Sequence, residues 1–332
     1  MNPERLRHAP NLAIVGSSSP LGKELRETLE SSDFPAGKIS LFETEEYAGL
    51  LQEFAGEIQI TQILSPETLA DTDIAFFACS PEIMRAYAAS GSPFPERTID
   101  LTQTDRPGLL FLKGVSDPVL LRGAGYCVNP HPATIALGRV LSRIHAAFPV
   151  ESVSVTLLEP ASERGIAGVD ELQEQTVGLL NFQGVENKTF SGQLAFNLLA
   201  EIPTARRTEE LVRRQLASVF GSGFPPVGMV AIQAPVFHSH ALSVFLKLRE
   251  SASPGQLAAN LGEGGVTVHA EDGLSPSPVT VVGSDSVHVA RLAVDPVIPG
   301  ACFLWIVADN LRIAASNALQ IAESLMLAPV SH

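Results

Sequence analysis

The chain has 332 residues, 45% hydrophobic and 17% charged, with a formal net charge of −14 at pH 7. This length predicts two domains, and the acidic balance argues against binding to nucleic acid or an anionic membrane, since both favour a basic surface. The first ten residues lack the apolar core of a signal peptide, and no run reaches the roughly 20 apolar residues of a membrane span. Three cysteines are too few for a disulfide framework, so the composition predicts a cytoplasmic protein.

The N-terminal part of the sequence indicates a βαβ unit that opens a parallel sheet. A strand over Leu12–Val15 precedes a Gly/Ser-rich turn at Gly16–Ser19, a helix over about Leu21–Ser31 and a strand over Ile39–Phe42. Further short apolar runs show no alternation, which is typical of buried parallel strands. These runs are Ile74–Ala78, Thr98–Leu101 and Gly125–Val128.

After a predicted helix from Ala133 to about Phe148, the pattern changes to strands in which apolar and polar residues alternate. Alternation predicts a sheet with one buried face and one face that is wet or packed on a partner. These strands are Ser152–Leu158, Val230–Ala234 and Phe245–Leu248. The Gly-, Ser- and Pro-rich stretch Ser251–Pro278 predicts loops around a small helix, and Leu311–Met326 predicts one amphipathic helix. We place the domain boundary near residue 133.

Several blocks, in order along nearly the whole chain, resemble the aspartate-semialdehyde dehydrogenase family, most closely its Usg-type paralogues that lack the catalytic cysteine. The blocks are Ile14–Gly22, Asn129–Thr134, Asp170–Thr176, Gln193–Asn197, Ala234–His240 and Val307–Arg312. The resemblance implies an α/β fold with a Rossmann-type doubly wound parallel sheet domain over residues 1–133 plus the C-terminal helix 311–330. It also implies an α+β domain with a mixed sheet over 134–310, which forms a homodimer.

The family's nucleophilic cysteine falls on Pro132. That chemistry needs a thiolate at a helix N-terminus, where amide N–H groups and the helix dipole lower the thiol pKa. Proline has no nucleophile, although it suits the first turn of a helix. Cys127 lies on a predicted strand, about 15 Å from the helix start if that segment is extended. We therefore interpret Cys127, with Cys79 and Cys302, as small buried hydrophobes.

The positions that hold substrate in the family are also altered in this sequence. The resemblance matches the family glutamine to Glu159, its next Ser-Gly-Ala-Gly to Ser162–Gly165, its substrate arginine to Gln233 and a substrate lysine to Val212. A neutral amide cannot replace the two charge-assisted hydrogen bonds of an arginine with a carboxylate. The resemblance therefore predicts a degenerate substrate site.

Two other family positions are retained: Arg106 matches a phosphate-binding arginine, and His240 matches the acid/base histidine. His238 and His240 are two apart on a predicted strand and share a face, where His131 and Glu159 converge if the family geometry holds. Such a group is an alternative metal site. No CxxC or HExxH pattern supports it, and histidine pairs on strands are more often hydrogen-bonded structural residues, so we predict no metal.

A glycine-rich turn between strand and helix can cradle a pyrophosphate on its N–H groups. The predicted cofactor-binding positions are Gly16, Ser18, Ser19, Leu21, Gly22, Glu43 and Asn310. Ser19 replaces the middle family glycine and Pro20 follows it, which obstructs close approach of a phosphate. No cofactor is certain from this pattern.

The family's Arg-Ser clamp for the NADP 2′-phosphate is replaced by Glu43–Glu46, so we expect NAD to bind in preference to NADP if either binds. Glu43 also has the spacing of an NAD ribose ligand, about 20 residues past the loop. The alternative is that these glutamates belong to a solvated loop. Asp309 and Asn310 resemble a segment near the nicotinamide, and helix capping is their alternative role.

These observations favour a non-catalytic paralogue that acts as a dimeric ligand-binding or partner-binding protein. The sequence does not identify a partner other than a second copy of the chain. The alternative is an active NAD(P)-dependent semialdehyde oxidoreductase of amino-acid biosynthesis in the aspartate pathway, with the alignment shifted around Pro132 or a non-covalent mechanism. A different enzyme on the same scaffold is a third reading.

Overall fold

The computed structural model describes residues 9–54, 56–200, 205–262, 264–270 and 273–327. The prediction about a signal peptide concerned the first ten residues, and residues 1–8 lie outside the described ranges. The chain divides into two compact units, one formed by Met1–Pro130 with Ala314–His332 and the other by His131–Ile313. Within the described ranges, no helix combines the length and apolarity needed to cross a membrane.

Proline and serine begin several of the helices in the same way. The described helices are α1 (Pro20–Glu30), α2 (Pro81–Ala89), α3 (Pro132–Ala147), α4 (Gly165–Leu180), α5 (Ala205–Phe220), α6 (Pro254–Leu261) and α7 (Asn310–Leu327). Ser19, Ser80 and Ser253 cap α1, α2 and α6, each accepting a backbone N–H from the first turn, and each is followed by proline. This combination satisfies orphan donors and places proline where no N–H is needed.

The first unit is built on a parallel sheet. Its strands are β1 (Leu12–Val15), β2 (Ile39–Glu43), β5 (Gln62–Ile63), β6 (Ile74–Phe77), β7 (Arg97–Asp100), β8 (Leu109–Leu110) and β9 (Tyr126–Val128), and a separate hairpin is formed by β3 (Leu51–Phe54) and β4 (Glu57–Ile60). The seven-stranded sheet has the order β5-β2-β1-β6-β7-β9-β8, and every pairing in it is parallel.

Helix α7 completes the core of the first unit. Ala315, Ala318 and Leu325 belong to the same buried cluster as Ile14 and Phe76 of the central strands. Polar contacts fix the helix as well, since Asn317 Nδ2 donates to Asn129 Oδ1 at 2.8 Å and Asn129 Nδ2 donates to the Ala314 carbonyl at 3.2 Å. The C-terminal helix therefore packs with the N-terminal strands.

The second unit is built on a mixed sheet. Its strands are β10 (Val150–Glu159), β11 (Val227–Gln233), β12 (His240–Leu248), β13 (Val266–Val268), β14 (Val287–Val294) and β15 (Ala301–Ala308). The sheet order is β11-β10-β12-β15-β14-β13, with parallel pairs β10–β11 and β13–β14 and antiparallel pairs elsewhere. The predicted fold class, a parallel-sheet Rossmann-type domain plus a mixed-sheet domain, is confirmed.

The stretch Ser251–Pro278 differs in part from its prediction. It contains the expected small helix, α6, but Val266–Val268 forms strand β13 instead of a loop. Three residues pair in parallel with Val287–Val289 of β14. A strand this short, flanked by glycine, leaves little periodic signal in the sequence.

Candidate functional site

The position expected for the nucleophile lies in the first turn of α3. Pro132 is the first helical residue, and His131 is the N-cap, its Nδ1 accepting the Ala133 N–H at 3.2 Å. Gln215 of α5 holds this turn, because its Oε1 accepts the His131 N–H and the Thr134 hydroxyl, both at 2.8 Å. Three hydrogen bonds therefore hold this turn in place, and the Pro132 side chain in it has no nucleophilic group.

The three cysteines are free and buried, as predicted from the sequence. Cys79 and Cys127 lie in the first unit, and Cys302 lies on β15 in the second. Burial, aided by the negative charge of Asp100, raises the pKa of Cys79 to about 12, and burial alone raises the pKa of Cys127 to about 12. Burial also raises the pKa of Cys302. Protonated thiols are poor nucleophiles, so these side chains act as packing groups.

Close to the α3 turn, His131, Glu163 and His240 form a compact group that we call the His–Glu cluster. Glu163 Oε2 lies 3.3 Å from His131 Nε2, and Glu163 Oε1 lies 3.1 Å from His240 Nε2. The two imidazoles are stacked with centroids 5.5 Å apart and are 4% and 0% exposed. Although burial acts to raise it, the two imidazoles hold the pKa of the Glu163 carboxyl well below its ordinary value.

The structure brings His131 and His240 together as predicted, but it corrects the places given to His238 and Glu159 in this group. Strand β12 begins at His240, and the preceding Ser239 has φ +76°, so His238 lies in the turn before the strand and does not alternate with His240. Glu163 takes the central place instead. It lies in a short 3-10 turn over Ala161–Arg164, which has no periodic pattern that could have identified it.

Glu159 is completely buried at the end of β10. Its nearest charged partner is Arg164, with Nη2 3.6 Å from Glu159 Oε2, and neither carboxylate oxygen has a hydrogen bond. Burial, together with the negative charge of Glu163, raises the pKa of the Glu159 carboxyl, and Arg164 offsets only part of this. The site therefore contains two carboxyl groups whose pKa values are shifted in opposite directions.

Gln233, at the predicted substrate-arginine position, pairs with Glu159 across β10 and β11. Its Nε2 donates to the Glu159 carbonyl at 2.8 Å, and its buried Oε1 has no hydrogen bond. The side chain thus supports the backbone of the neighbouring strand. Val212, at the predicted lysine position, is fully buried in α5.

Asp309 and Asn310 connect the start of α7 to the site. Asp309 Oδ1 accepts the N–H groups of Leu311 and Arg312 at 3.0 and 3.1 Å, so the capping alternative applies to this residue. Asn310 Oδ1 accepts the Ser239 N–H at 2.9 Å, and its Nδ2 donates to Glu163 Oε1 at 3.1 Å. Asn310 therefore positions the Glu163 carboxylate.

In the first unit, the glycine-rich turn is tightly packed. A Cβ at Gly16, which has φ +82°, would lie 2.5 Å from Cys79 Cα, and a Cβ at Gly22 would lie 2.1 Å from the Gly16 carbonyl oxygen. Both glycines are thus required by close packing. Ser19 caps α1 and donates its hydroxyl to the Ala78 carbonyl at 2.8 Å, while Leu21 packs against the core of this unit.

Glu43 is buried beside this turn, so the solvated-loop alternative is wrong for this residue. Its Oε1 accepts the Ser17 hydroxyl at 3.1 Å and the Ser18 N–H at 2.5 Å. Glu45 and Glu46 are exposed. One N–H that a phosphate could use is therefore occupied by a carboxylate of the same chain.

Arg106 also lies in the first unit and is exposed. Its guanidinium stacks over two aromatic rings, 4.3 Å from the Phe94 centroid and 5.0 Å from that of Tyr126. Such cation–π contacts hold an arginine side chain in one orientation.

One unit built on a parallel sheet with a glycine-rich turn and a second built on a mixed sheet together define a two-domain α/β protein with a Rossmann-like first domain. Two family models match this chain: the NAD binding domain of semialdehyde dehydrogenases over residues 11–107, and the dimerisation domain of the same enzymes over residues 141–313. The chain belongs to the semialdehyde dehydrogenase family.

Individual relatives extend this match over nearly the full length. A USG-1 protein homolog of Pseudomonas aeruginosa is 31% identical over 95% of this chain and 97% of its own length. Aspartate-semialdehyde dehydrogenase 2 of Vibrio cholerae is 29% identical with the same coverage. The crystal structure of aspartate semialdehyde dehydrogenase II of Vibrio cholerae, complexed with ASA, superposes with a TM-score of 0.87 at 28% identity, covering 96% of this chain and 99% of that one.

Proposed function

We propose that this chain is a non-catalytic member of the semialdehyde dehydrogenase family that serves as a dimeric ligand-binding or partner-binding protein. The observation that carries the proposal is Pro132, which occupies the first position of α3 where the family resemblance places the nucleophile. A covalent thioester route needs a thiolate there.

Glu163 supports the same proposal, because it affects the predicted acid/base residue. The resemblance aligns it with a family glycine, and in this chain its carboxylate lies 3.1 Å from Nε2 of His240, the predicted acid/base position. An acid/base group must reach the substrate directly or through one water. Here the imidazole faces a carboxylate of its own chain instead.

The substrate-holding positions add a third argument. Gln233 is bonded to the β10 backbone, and Val212 is an apolar core residue. Neither can pair with a substrate carboxylate in the way an arginine or lysine would.

A direct assay tests the proposal. The purified chain is mixed with aspartate semialdehyde, phosphate and either NADP or NAD, and reduced cofactor is followed by absorbance. We expect no signal above the enzyme-free blank, while the Vibrio cholerae dehydrogenase assayed in parallel turns over. Turnover of about 1–10³ per second, the ordinary enzymatic range, would refute the proposal.

The homodimer is part of the same proposal. One face of the mixed sheet carries apolar side chains open to solvent, among them Val230 at 52% and Phe303 at 42% exposure, with Phe303 packed edge-on against Phe245. An apolar sheet face of this kind favours a protein partner. The match to a dimerisation domain supports a second copy as that partner.

The assembly is tested by analytical ultracentrifugation of Phe303→Glu. A charge on this face should convert the dimer to a monomer, whereas Ile58→Glu on the exposed hairpin of the first unit should leave the dimer intact. A monomeric wild type, or an unchanged dimer in Phe303→Glu, would contradict the interface.

We extend the proposal to the two domains. Residues 1–133 with residues 311–330 act as the dinucleotide-binding-like domain, and residues 134–310 act as the dimerisation domain. The packing of α7 in the core of the first unit supports this division. A cytoplasmic location belongs to the same proposal, supported by the three free thiols.

A further inference from the structure

Around the His–Glu cluster, several buried polar atoms lack a hydrogen bond. Within the described residues they include both carboxylate oxygens of Glu159, Oε1 of Gln233, Oγ of Ser239 and Nδ1 of His240, whereas His240 Nε2 faces Glu163 Oε1 at 3.1 Å. Native proteins pair nearly all such atoms, and exceptions commonly mark a water, an ion or a functional group. Their concentration around one histidine that is 0% exposed points to a ligand-binding site.

The donor set indicates which ligand class fits. Two imidazole nitrogens and a carboxylate form the kind of three-ligand set found in open zinc sites. Ligand atoms about 2.0–2.2 Å from a tetrahedral zinc ion lie about 3.4 Å apart. In the His–Glu cluster the two measured nitrogen–oxygen separations are 3.1 and 3.3 Å, and all three ligand atoms lie within 4.8 Å of one another.

We propose that His131 Nε2, His240 Nε2 and a Glu163 oxygen bind one Zn²⁺ ion in this chain. The inference rests on the proposed function and deepens it, because it names the ligand of the same site. Asn310 acts as a positioning residue, since its Nδ2 donates to Glu163 Oε1 and fixes the carboxylate. A buried ligand often needs such an outer hydrogen bond to hold its orientation.

The competing arrangement is a direct interaction of Glu163 with the two imidazoles and no ion. It has one structural point in its favour, because His131 Nδ1 accepts the Ala133 N–H, which places the ring proton on Nε2. Zinc binding at Nε2 moves that proton to Nδ1 and exchanges the 3.2 Å capping bond for a metal–nitrogen bond. The two arrangements therefore differ in whether zinc binds, which is measurable.

The experiment uses the full chain, freed of metal by dialysis against a chelator and titrated with ZnCl₂ by calorimetry. We expect one Zn²⁺ per chain and a rise in melting temperature. Glu163→Gln and His240→Gln should each weaken binding by more than about 100-fold, since even outer partners of metal ligands contribute about 10–100-fold. With Co²⁺ in place of Zn²⁺, the wild type should show visible absorption bands that Glu163→Gln lacks.

A matched control comes from the other histidine pair of the same unit. His269 Nε2 and His288 Nδ1 are 2.9 Å apart, and His288 Nε2 is 2.8 Å from Ser284 Oγ. His288→Gln should bind one Zn²⁺ with wild-type affinity. Circular dichroism of each metal-free variant separates lost ligands from lost folding, and His131→Gln replaces any variant that does not fold.

Absence of saturable one-to-one binding to the wild type would overturn the inference, as would wild-type affinity in a folded Glu163→Gln. If only His288→Gln lost zinc binding, the metal would be assigned to His269 and His288, and the inference would also be overturned. The dehydrogenase assay separates this result from the proposed function. A chain without zinc and without turnover refutes only the metal site, whereas turnover of aspartate semialdehyde refutes the proposed function whatever the zinc result.

Discussion

At the scale of single residues, Glu159 and Glu163 show how neighbours decide the ionisation of a buried carboxyl. Glu163 faces two imidazoles and an amide donor, which favour its anion. Glu159 has no hydrogen bond and its one ion pair is with the Arg164 guanidinium at 3.6 Å, so burial and the negative charge of Glu163 outweigh the nearby positive groups. Desolvation favours the neutral acid, and charge partners favour the anion. Glu159 at the end of β10 and Glu163 in the following 3-10 turn therefore contribute to stability with opposite dependence on pH.

The raised pKa of Glu159 gives the first prediction. Below the unfolded-state value, near 4.5, the carboxyl is protonated in both states and costs nothing. As pH rises through that value the unfolded chain ionises first, so folding stability falls until the folded-state pKa is passed. Glu159→Gln removes this cost and should raise the free energy of unfolding at pH 7 by on the order of 1 kcal/mol.

Urea denaturation of both proteins at pH 4 to 8 measures this difference. The advantage of Glu159→Gln should be absent at the acid end and largest at the alkaline end. Glu151→Gln, on the same strand but half-exposed in a salt bridge with Lys247, serves as the control and should show no such trend. A variant less stable than wild type at pH 7 would show that the buried carboxylate is stabilising.

At the scale of elements, the start of β12 is the most strained part of the site. Ser239 has φ +76°, which a residue with a Cβ adopts only at a cost, and its buried hydroxyl has no hydrogen bond. Its N–H is bonded to Asn310, which keeps the turn in place. Strain held by surrounding contacts of this kind is common beside functional sites.

Glycine at this position should relieve the strain. Ser239→Gly removes a backbone cost of about 1–3 kcal/mol, against about 0.4–1 kcal/mol of added entropy in the unfolded chain. We expect a net gain of roughly 1 kcal/mol, read as a higher urea midpoint. Ser243→Gly, on the exposed face of the same strand, should instead lose about 0.5–1 kcal/mol. If Ser239→Gly and Ser243→Gly changed the urea midpoint equally, relief of backbone strain at Ser239 would be excluded as the cause.

The glycine-rich turn gives the next prediction. Glu43 is buried against Ser17 and Ser18 with its carboxylate bonded to both. A 2′-phosphate near this carboxylate meets like charge, so NADP should bind at least about 10-fold more weakly than NAD, or not measurably. Glu43→Gln should reduce the difference in affinity between NAD and NADP. Glu46→Gln, at an exposed position, should leave that difference unchanged. Calorimetry showing tighter binding of NADP than of NAD would contradict this account.

The regular elements were largely predictable, and the irregular ones were not. Strand β1 and the helix after Pro132 follow from unbroken apolar runs and from proline in a first turn. Strand β12 starts five residues before its predicted position, because its first three residues, His240–Leu242, are all buried and do not alternate. The His–Glu cluster depends on a 3-10 turn and a positive φ, and neither has a periodic signature.

At the scale of the whole molecule, the order of the blocks along the chain predicted the family, and the matches to the two family models confirm it. The proposed loss of catalysis is more local, because it rests on a few side chains. Pro132, Glu159, Glu163 and Gln233 lie on four different elements or turns of the second unit. Groups that act together in catalysis are strongly non-additive, so restoring one of them gains little while the others are missing.

A stepwise rebuild tests this dependence. Pro132→Cys supplies a thiol at the N-terminus of α3, but Glu163 still lies against His240 and Gln233 still cannot pair with a carboxylate. A misplacement of about 1 Å can already cost 10²-fold in rate. We therefore expect phosphate-dependent reduction of NAD or NADP by aspartate semialdehyde only when Glu159→Gln and Gln233→Arg accompany Pro132→Cys, and a further gain when Glu163→Gly is added. The same set with Pro132→Ser is the control for the thiol. If Pro132→Cys alone produced an ordinary enzymatic rate, the remaining substitutions would have to be neutral for catalysis, and the site would be one substitution from activity instead of three.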